Sequence, residues 1–332
     1  MRALVFEHHG DPVESLLLTE MPLPDTPAGT VRLRLQARPV NPSDVMFVKG
    51  DYGRPAPFTR VGGSTVSPIG FEGAGVVDQA GPGVRLEPGA RVAVAVTGTW
   101  QEYVTAPEDA VIPVPDDLPL DIACQFTVNP FTAHLLLADL AVEPGDAILL
   151  TASTSSVSRM IIRLARDRGV RCVCLARDTE QASRLRDLGA EHVVSADGGD
   201  DAVVHRARDA AGTGGVAAAL DAVGGRQGAL ALRCLRDGGR HIVYGSMSGH
   251  PLPLPSFDLI FRGVSVEGFW LPQHMERMSP PALRELTSTI ARQLTDHTLE
   301  APVEAHYDLS RIHDALAHHL RPGRLGKIVL TG

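Results

Sequence analysis

Gly145-Asp-Ala-Ile-Leu-Leu-Thr-Ala-Ser-Thr-Ser-Ser-Val-Ser158 and Val170-Arg-Cys-Val-Cys-Leu-Ala-Arg177 bracket the stretch on which the fold turns. Ala147-Ile-Leu-Leu-Thr-Ala152 is a short apolar run that reads as a strand. Val157, Met160, Ile161, Leu164 and Ala165 recur at helical spacing, and Gly169 closes that helix. Arg171-Cys-Val-Cys-Leu-Ala176 reads as a second strand. Such a unit is parallel. It aims the free N–H groups of the helix N-terminus at whatever lies above the strand ends, and phosphate is favoured there.

The turn itself is unusual. Dinucleotide sites place glycines here, for a tight turn and close backbone approach to the pyrophosphate. This chain has Thr154, Ser155, Ser156, Val157 and Ser158 instead. Two readings stay open on the turn alone. One is a nucleotide site in which serine hydroxyls add to the backbone donors. The other is an α/β core that has lost the site. About 20 residues past the turn, an acid selects NAD and a cation selects NADP. Arg177 stands there and favours NADPH, although Asp178 beside it could reach a ribose.

The pattern continues outward from this unit. Up to about residue 120 the chain is rich in short β runs, punctuated by Asp11-Pro12, Gly62-Gly63, Gly81-Pro-Gly83 and the prolines from Pro113 to Pro119. Strands and helices then alternate: a helix Thr179–Leu188, a strand His192–Val194, a helix His205–Ala211 and a strand Val216–Asp221. A helix Gly228–Leu235, a strand His241–Tyr244 and a strand Val264–Phe269 complete the series. That alternation predicts an α/β protein with a doubly wound parallel sheet. In the tail, helices are expected over Pro281–Thr295 and Leu309–Leu320, and a strand over Lys327–Leu330.

Composition agrees with a globular chain, at 44% apolar and 21% charged residues. The net charge of −8 without a basic block argues against nucleic-acid or anionic-membrane partners. No leader or long apolar span is seen, so the expected location is cytoplasmic. The four cysteines form no C-x-x-C pair. Cys172 and Cys174 alternate along one strand and are expected to pack as small apolar groups. His313, His318 and His319 lack the i, i+4 spacing of a ligand pair and read as packing or solvated residues.

Several motifs, in order along the chain, carry a resemblance. They are Val40-Asn-Pro-Ser-Asp44, Gly50-Asp-Tyr52, Gly70-Phe-Glu-Gly-Ala-Gly75, Gly98-Thr-Trp-Gln-Glu-Tyr103 and Val128-Asn-Pro-Phe-Thr-Ala133. Tyr244-Gly-Ser-Met247, Gly268-Phe-Trp-Leu271 and Gly326-Lys327 follow. The chain resembles the zinc-independent branch of the medium-chain dehydrogenase/reductase superfamily, and within it the mitochondrial-type trans-2-enoyl-thioester reductases. The resemblance implies a discontinuous, GroES-like, partly open β-barrel domain over 1–124 and 273–332, and a Rossmann domain over 125–272. It also implies a homodimer, consistent with an apolar sheet edge at Val264–Phe269 that a two-fold partner would pair.

Site residues follow from the same resemblance. Zinc-dependent members carry Cys where Asn41 stands and His where Phe71 stands, and neither replacement is a zinc ligand; no metal is expected. Tyr52 matches the proton-donating tyrosine. A phenol ionises near pH ~10 and is a neutral donor at pH 7. Asn129 matches a residue at the nicotinamide, and Thr132 is expected to start the following helix. Tyr244, Gly245, Ser246 and Met247 end a strand whose carboxyl end faces the cofactor. Phe269, Trp270 and Leu271 match a run at the nicotinamide, though as a sequence they read equally as core. Lys327 matches a lysine near the 2′-phosphate, and Glu72 is given no chemistry. The implied activity is NADPH-dependent reduction of an activated C=C bond in an enoyl thioester on CoA or a carrier protein. NADPH:quinone oxidoreduction, and a non-redox binding role on the same fold, are the alternatives.

Overall fold

The computed structural model describes residues 1–187 and 190–332. Two compact units emerge: Met1–Pro130 with Thr287–Gly332, and Phe131–Leu286. Both chain crossings fall inside helices, Asn129–Asp139 and Pro280–Thr295. They lie 6 and 14 residues beyond the sequence-based boundaries at 124 and 272.

The Phe131–Leu286 unit is built on a six-stranded, all-parallel sheet. Its spatial order is His192–Ser195, Arg171–Ala176, Ala147–Leu150, Val216–Asp221, Leu235–Val243 and Ser265–Gly268. Ala147–Leu150 and Val216–Asp221 are buried at every position, as strands covered on both faces must be. The order reverses between these two strands. Ligands of doubly wound sheets bind at the carboxyl ends beside such a reversal. The helix Ser156–Asp167 buries Met160, Ile161, Leu164 and Ala165, and Gly169 beyond it takes φ 68°. The strand expected from His241 begins at Leu235, because Val216 already pairs with Leu235 before the ladder shifts register. Its preceding helix runs Gly225–Cys234. The helix expected from Thr179 to Leu188 runs Thr179–Asp187, and Leu188 lies outside the described residues.

In the other unit the tail is woven into the first part of the chain. A seven-stranded sheet runs Val303–Asp308, Lys327–Thr331, Thr30–Pro39, Gly73–Ala80, Arg91–Val94 and Val111–Pro113, with Tyr103–Pro107 on Thr30–Pro39. A four-stranded sheet holds Leu16–Glu20, Arg2–Phe6, Ser64–Pro68 and Thr59–Val61. One apolar core joins Leu4, Phe6, Phe47 and Trp100 with Leu309, Ile312, Leu316, Ile328 and Leu330. The fully buried Arg38 donates to the carbonyls of Leu35, Gln101 and Gly332.

Two expectations change at this level. The helix predicted to start near Thr132 begins at Asn129. Pro130 fits its first turn, where a missing N–H removes no hydrogen bond. All four cysteines are free; Cys174 is buried, which pushes its thiol up to about 12, whereas Cys172 is half-buried. No described helix is long and apolar enough to cross a membrane.

Candidate active site

At the carboxyl ends of the parallel sheet, the serine-rich turn is turned inward. The Ser155 side chain caps the helix Ser156–Asp167, accepting from the Ser158 N–H at 3.2 Å. Ser158 is fully buried; its hydroxyl donates to the Thr151 carbonyl at 3.3 Å and lies 3.5 Å from the Tyr244 hydroxyl. Ser153 donates to the Leu150 carbonyl at 2.8 Å. The hydroxyls of Ser153, Ser155 and Ser158 therefore complete the fold, and the first-turn amides at Ser156 and Val157 are the groups without intrahelical partners. Burial pushes the Tyr244 phenol up to about 12. Thr151 donates to Asp221 at 2.8 Å and accepts from the Ala222 N–H at 2.9 Å, tying the two central strands together above the sheet. Gly245 follows closely, since a Cβ there would stand 2.7 Å from the Ala222 carbonyl oxygen. Its glycine is required by that neighbouring backbone.

At the selectivity position, Arg177 and Asp178 play separate parts. Asp178 caps the next helix through Oδ1, accepting from the Gln181 N–H at 2.7 Å. Gln181 in turn accepts from the Arg177 N–H at 2.6 Å and donates to the Thr154 hydroxyl at 3.3 Å. The Arg177 side chain is exposed. Ser246 and Met247 are exposed as well. Phe269 is buried with its ring 4.1 Å from that of His274, Trp270 is half-buried, and Leu271 opens a short helix, Leu271–Glu276.

The second group of residues lies in the unit of Met1–Pro130 and Thr287–Gly332. The helix Pro42–Lys49 ends at Gly50, φ 85°, and the chain turns there into Tyr52. The Tyr52 ring lies 5.0 Å from Phe71 at 30° and 6.3 Å from Phe47 at 80°. These neighbours fix the plane of its ring. Asn129 is buried, and its Nδ2 has no hydrogen-bond partner. Thr132, which falls in the Phe131–Leu286 unit, is also buried.

Lys327 is not on a surface where a phosphate would meet it. It is buried, and its ammonium donates to Asn41 Oδ1. Asn41 Nδ2 donates to Glu72 Oε1 at 2.8 Å, and the Asn41 N–H donates to Asp44 Oδ2 at 2.7 Å. Burial pushes the Asp44 carboxyl up to about 8 and the Lys327 ammonium down to about 8; it also raises Glu72. Asp44, Glu72 and Lys327 thus form a buried charge cluster that sequence motifs do not reveal.

Comparison with known proteins agrees with this architecture. Residues 27–116 match the family described as alcohol dehydrogenase GroES-like domain, and residues 156–288 that described as zinc-binding dehydrogenase. The human mitochondrial enoyl-[acyl-carrier-protein] reductase is 34% identical, over 100% of this chain and 88% of that protein. The chain belongs to the medium-chain dehydrogenase/reductase superfamily. Among solved structures, a putative NADPH:quinone reductase from Bacillus thuringiensis superposes with TM-score 0.87 at 26% identity, covering 100% of this chain and 98% of that one. A mycobacterial protein complexed with NADPH gives TM-score 0.86 at 26% identity, with 100% of each chain covered.

Membership of this oxidoreductase superfamily raises the question of zinc. The residues here do not fit it. Asn41 spends its amide on Glu72 and Lys327, and Phe71 presents a ring that packs on Tyr52 and Phe47. Among the described residues, no three His, Cys, Asp or Glu side chains are grouped so as to hold a metal ion.

Proposed function

We propose that this chain is an NADPH-dependent reductase of an activated carbon–carbon double bond, acting on a trans-2-enoyl thioester carried by CoA or an acyl-carrier protein. The observation that carries the reading is Asn129, a buried amide donor without an acceptor, in the same unit as the ring-packed Tyr52. The human relative's name, an enoyl-[acyl-carrier-protein] reductase, supports the substrate class. NADPH, when bound, would supply the hydride for the β-carbon of the enoyl group. Negative charge then develops toward the thioester oxygen, and the α-carbon needs a proton. The Asn129 amide offers a hydrogen bond to a carbonyl oxygen, and the Tyr52 hydroxyl offers the proton. Backbone amides at Ser156 and Val157 are assigned to the pyrophosphate, and Arg177 to the 2′-phosphate. Thr132, Tyr244 to Met247 and Phe269 to Leu271 are assigned to the nicotinamide end.

Tyr52→Phe keeps the ring and removes only the donor. Turnover on a short trans-2-enoyl-CoA is expected to fall ~10²–10⁴-fold, the usual contribution of a general acid. NADPH affinity, followed by fluorescence titration, is expected to hold. A loss of tenfold or less removes Tyr52 as the proton donor. The Bacillus structure favours a second reading, hydride transfer to a quinone, which needs no α-carbon acid. Retention of quinone reduction by Tyr52→Phe, with no thioester activity in the wild type, selects that reading.

A further inference from the structure

Between the helices Leu120–Ala123 and Asn129–Asp139 the chain crosses a segment that belongs to neither helix nor strand. The N–H groups of Cys124, Gln125 and Phe126 bond the carbonyls of Leu120, Ile122 and Ala123. Those of Thr127 and Val128 lie past that turn and must find partners elsewhere, and they find Glu72. One carboxylate oxygen, Oε2, accepts from the Thr127 N–H at 3.0 Å, the Thr127 hydroxyl at 2.9 Å and the Val128 N–H at 2.9 Å. The other accepts from Asn41, which is held by Lys327. Glu72 is 1% exposed, so this grip is made away from water.

Such a cluster is an expensive way to anchor a loop. Burying charges costs more than burying apolar groups of equal size, and apolar replacements of buried ion pairs are often more stable. What the cluster gives is position. Asn129 follows Val128 directly, and its short side chain has little freedom to find its own direction. The place of its unpartnered Nδ2 is therefore set by the backbone that Glu72 holds. An unmatched buried donor is destabilising and points to an acceptor brought by a ligand.

We propose that Glu72, held by Asn41 and Lys327, is a positioning residue that aims the Asn129 amide at a carbonyl oxygen of substrate or cofactor. This rests on the reading of Asn129 given above. The test is a double-mutant cycle on reduction of a short trans-2-enoyl-CoA by NADPH. Thr127→Val removes the hydroxyl donor to Glu72 while keeping the side-chain shape, and Thr127→Ser restores it. Glu72→Gln removes the charge; the Thr127 pair decides the matter should that variant not fold. Misaiming a group by about 1 Å costs up to ~10²-fold. Thr127→Val is expected to lower kcat by about tenfold at nearly constant KM, with most of the rate recovered in Thr127→Ser. Adding Thr127→Val to Asn129→Ala is expected to cost nothing further. If the two losses multiply instead, the Glu72 grip is only structural and the proposal fails alone. If Asn129→Ala by itself leaves the rate unchanged, the reading of Asn129 fails and the proposal with it.

Discussion

Two adjacent residues, Arg177 and Asp178, show how one side chain frees another. A carboxylate beside a guanidinium would ordinarily compete for it, or for a ribose hydroxyl. Asp178 instead spends an oxygen on the Gln181 N–H, and the Arg177 guanidinium stays exposed. Arg177→Ala is expected to erase most of a preference for NADPH over NADH, by ~1–3 kcal/mol for a charge-assisted contact. Titration of wild type and variant with both nucleotides measures it; equal wild-type affinities would end the assignment. At this scale, what the sequence disclosed was uneven. Tyr52 and Asn129 could be picked out because each sits inside a recognisable local run. Glu72 was passed over, since its direct partners lie 31 and 55 residues away in sequence and Lys327 acts through Asn41, 286 residues from it, and no local pattern reports such distances. The burial of Lys327 was hidden for the same reason: it depends on how the tail packs.

Among the elements, the helix Ile312–His319 carries a pH response. His319 on its last turn is buried, and burial, with Arg324 and Lys327 nearby, pushes its imidazole down to about 3. The folded state thus refuses a proton that the unfolded chain accepts near pH 6.5. Its contribution is flat above that pH and turns destabilising as pH falls from 6.5 toward 3. At pH 5 the penalty is ~2 kcal/mol. Asp44 works in the opposite sense: its raised carboxyl favours folding as pH falls from about 8 toward 3.8. The comparison must therefore be differential. Urea unfolding of wild type and His319→Gln at pH 7.5 and pH 5 should show the gap between them shift by ~2 kcal/mol toward the variant. A pH-independent gap would mean that His319 takes up its proton in the folded state. The helix itself was legible from its apolar spacing, whereas the burial of one of its two terminal histidines was not. His318 pairs with Glu304 and Tyr307 at 3.0 Å each, and only the packing distinguishes it from His319.

For the molecule as a whole, the parallel sheet ends on Ser265–Gly268, a strand paired on one side only. Just before it, Phe257, Ile260 and Phe261 are 65%, 68% and 71% exposed. Apolar exposure beside an open edge favours a covering partner, and we propose a second copy of the chain. Light scattering should give twice 35.3 kDa at micromolar concentration, and Ile260→Asp with Phe261→Asp should reduce it to one chain. A wild-type monomer would refute this. That the sheet is parallel and doubly wound was readable from the alternation of apolar runs. The return of the tail was expected from the family resemblance alone, because nothing in Lys327–Thr331 itself names Thr30–Pro39 as its partner. That return has a consequence for biosynthesis. A ribosome releases Thr30–Pro39 some 290 residues before Lys327–Thr331, the last of the strands that pair with it, or roughly 15–60 s at ordinary elongation rates. Through that interval the parallel-sheet unit can finish folding, while the earlier strands keep an open edge and Arg38 lacks one of its carbonyls. Nascent chains arrested just before Lys327, with residues up to Leu286 clear of the ribosome, should accordingly resist protease across 131–286 and be cut within 1–130, so that chaperone demand falls on the segment made first.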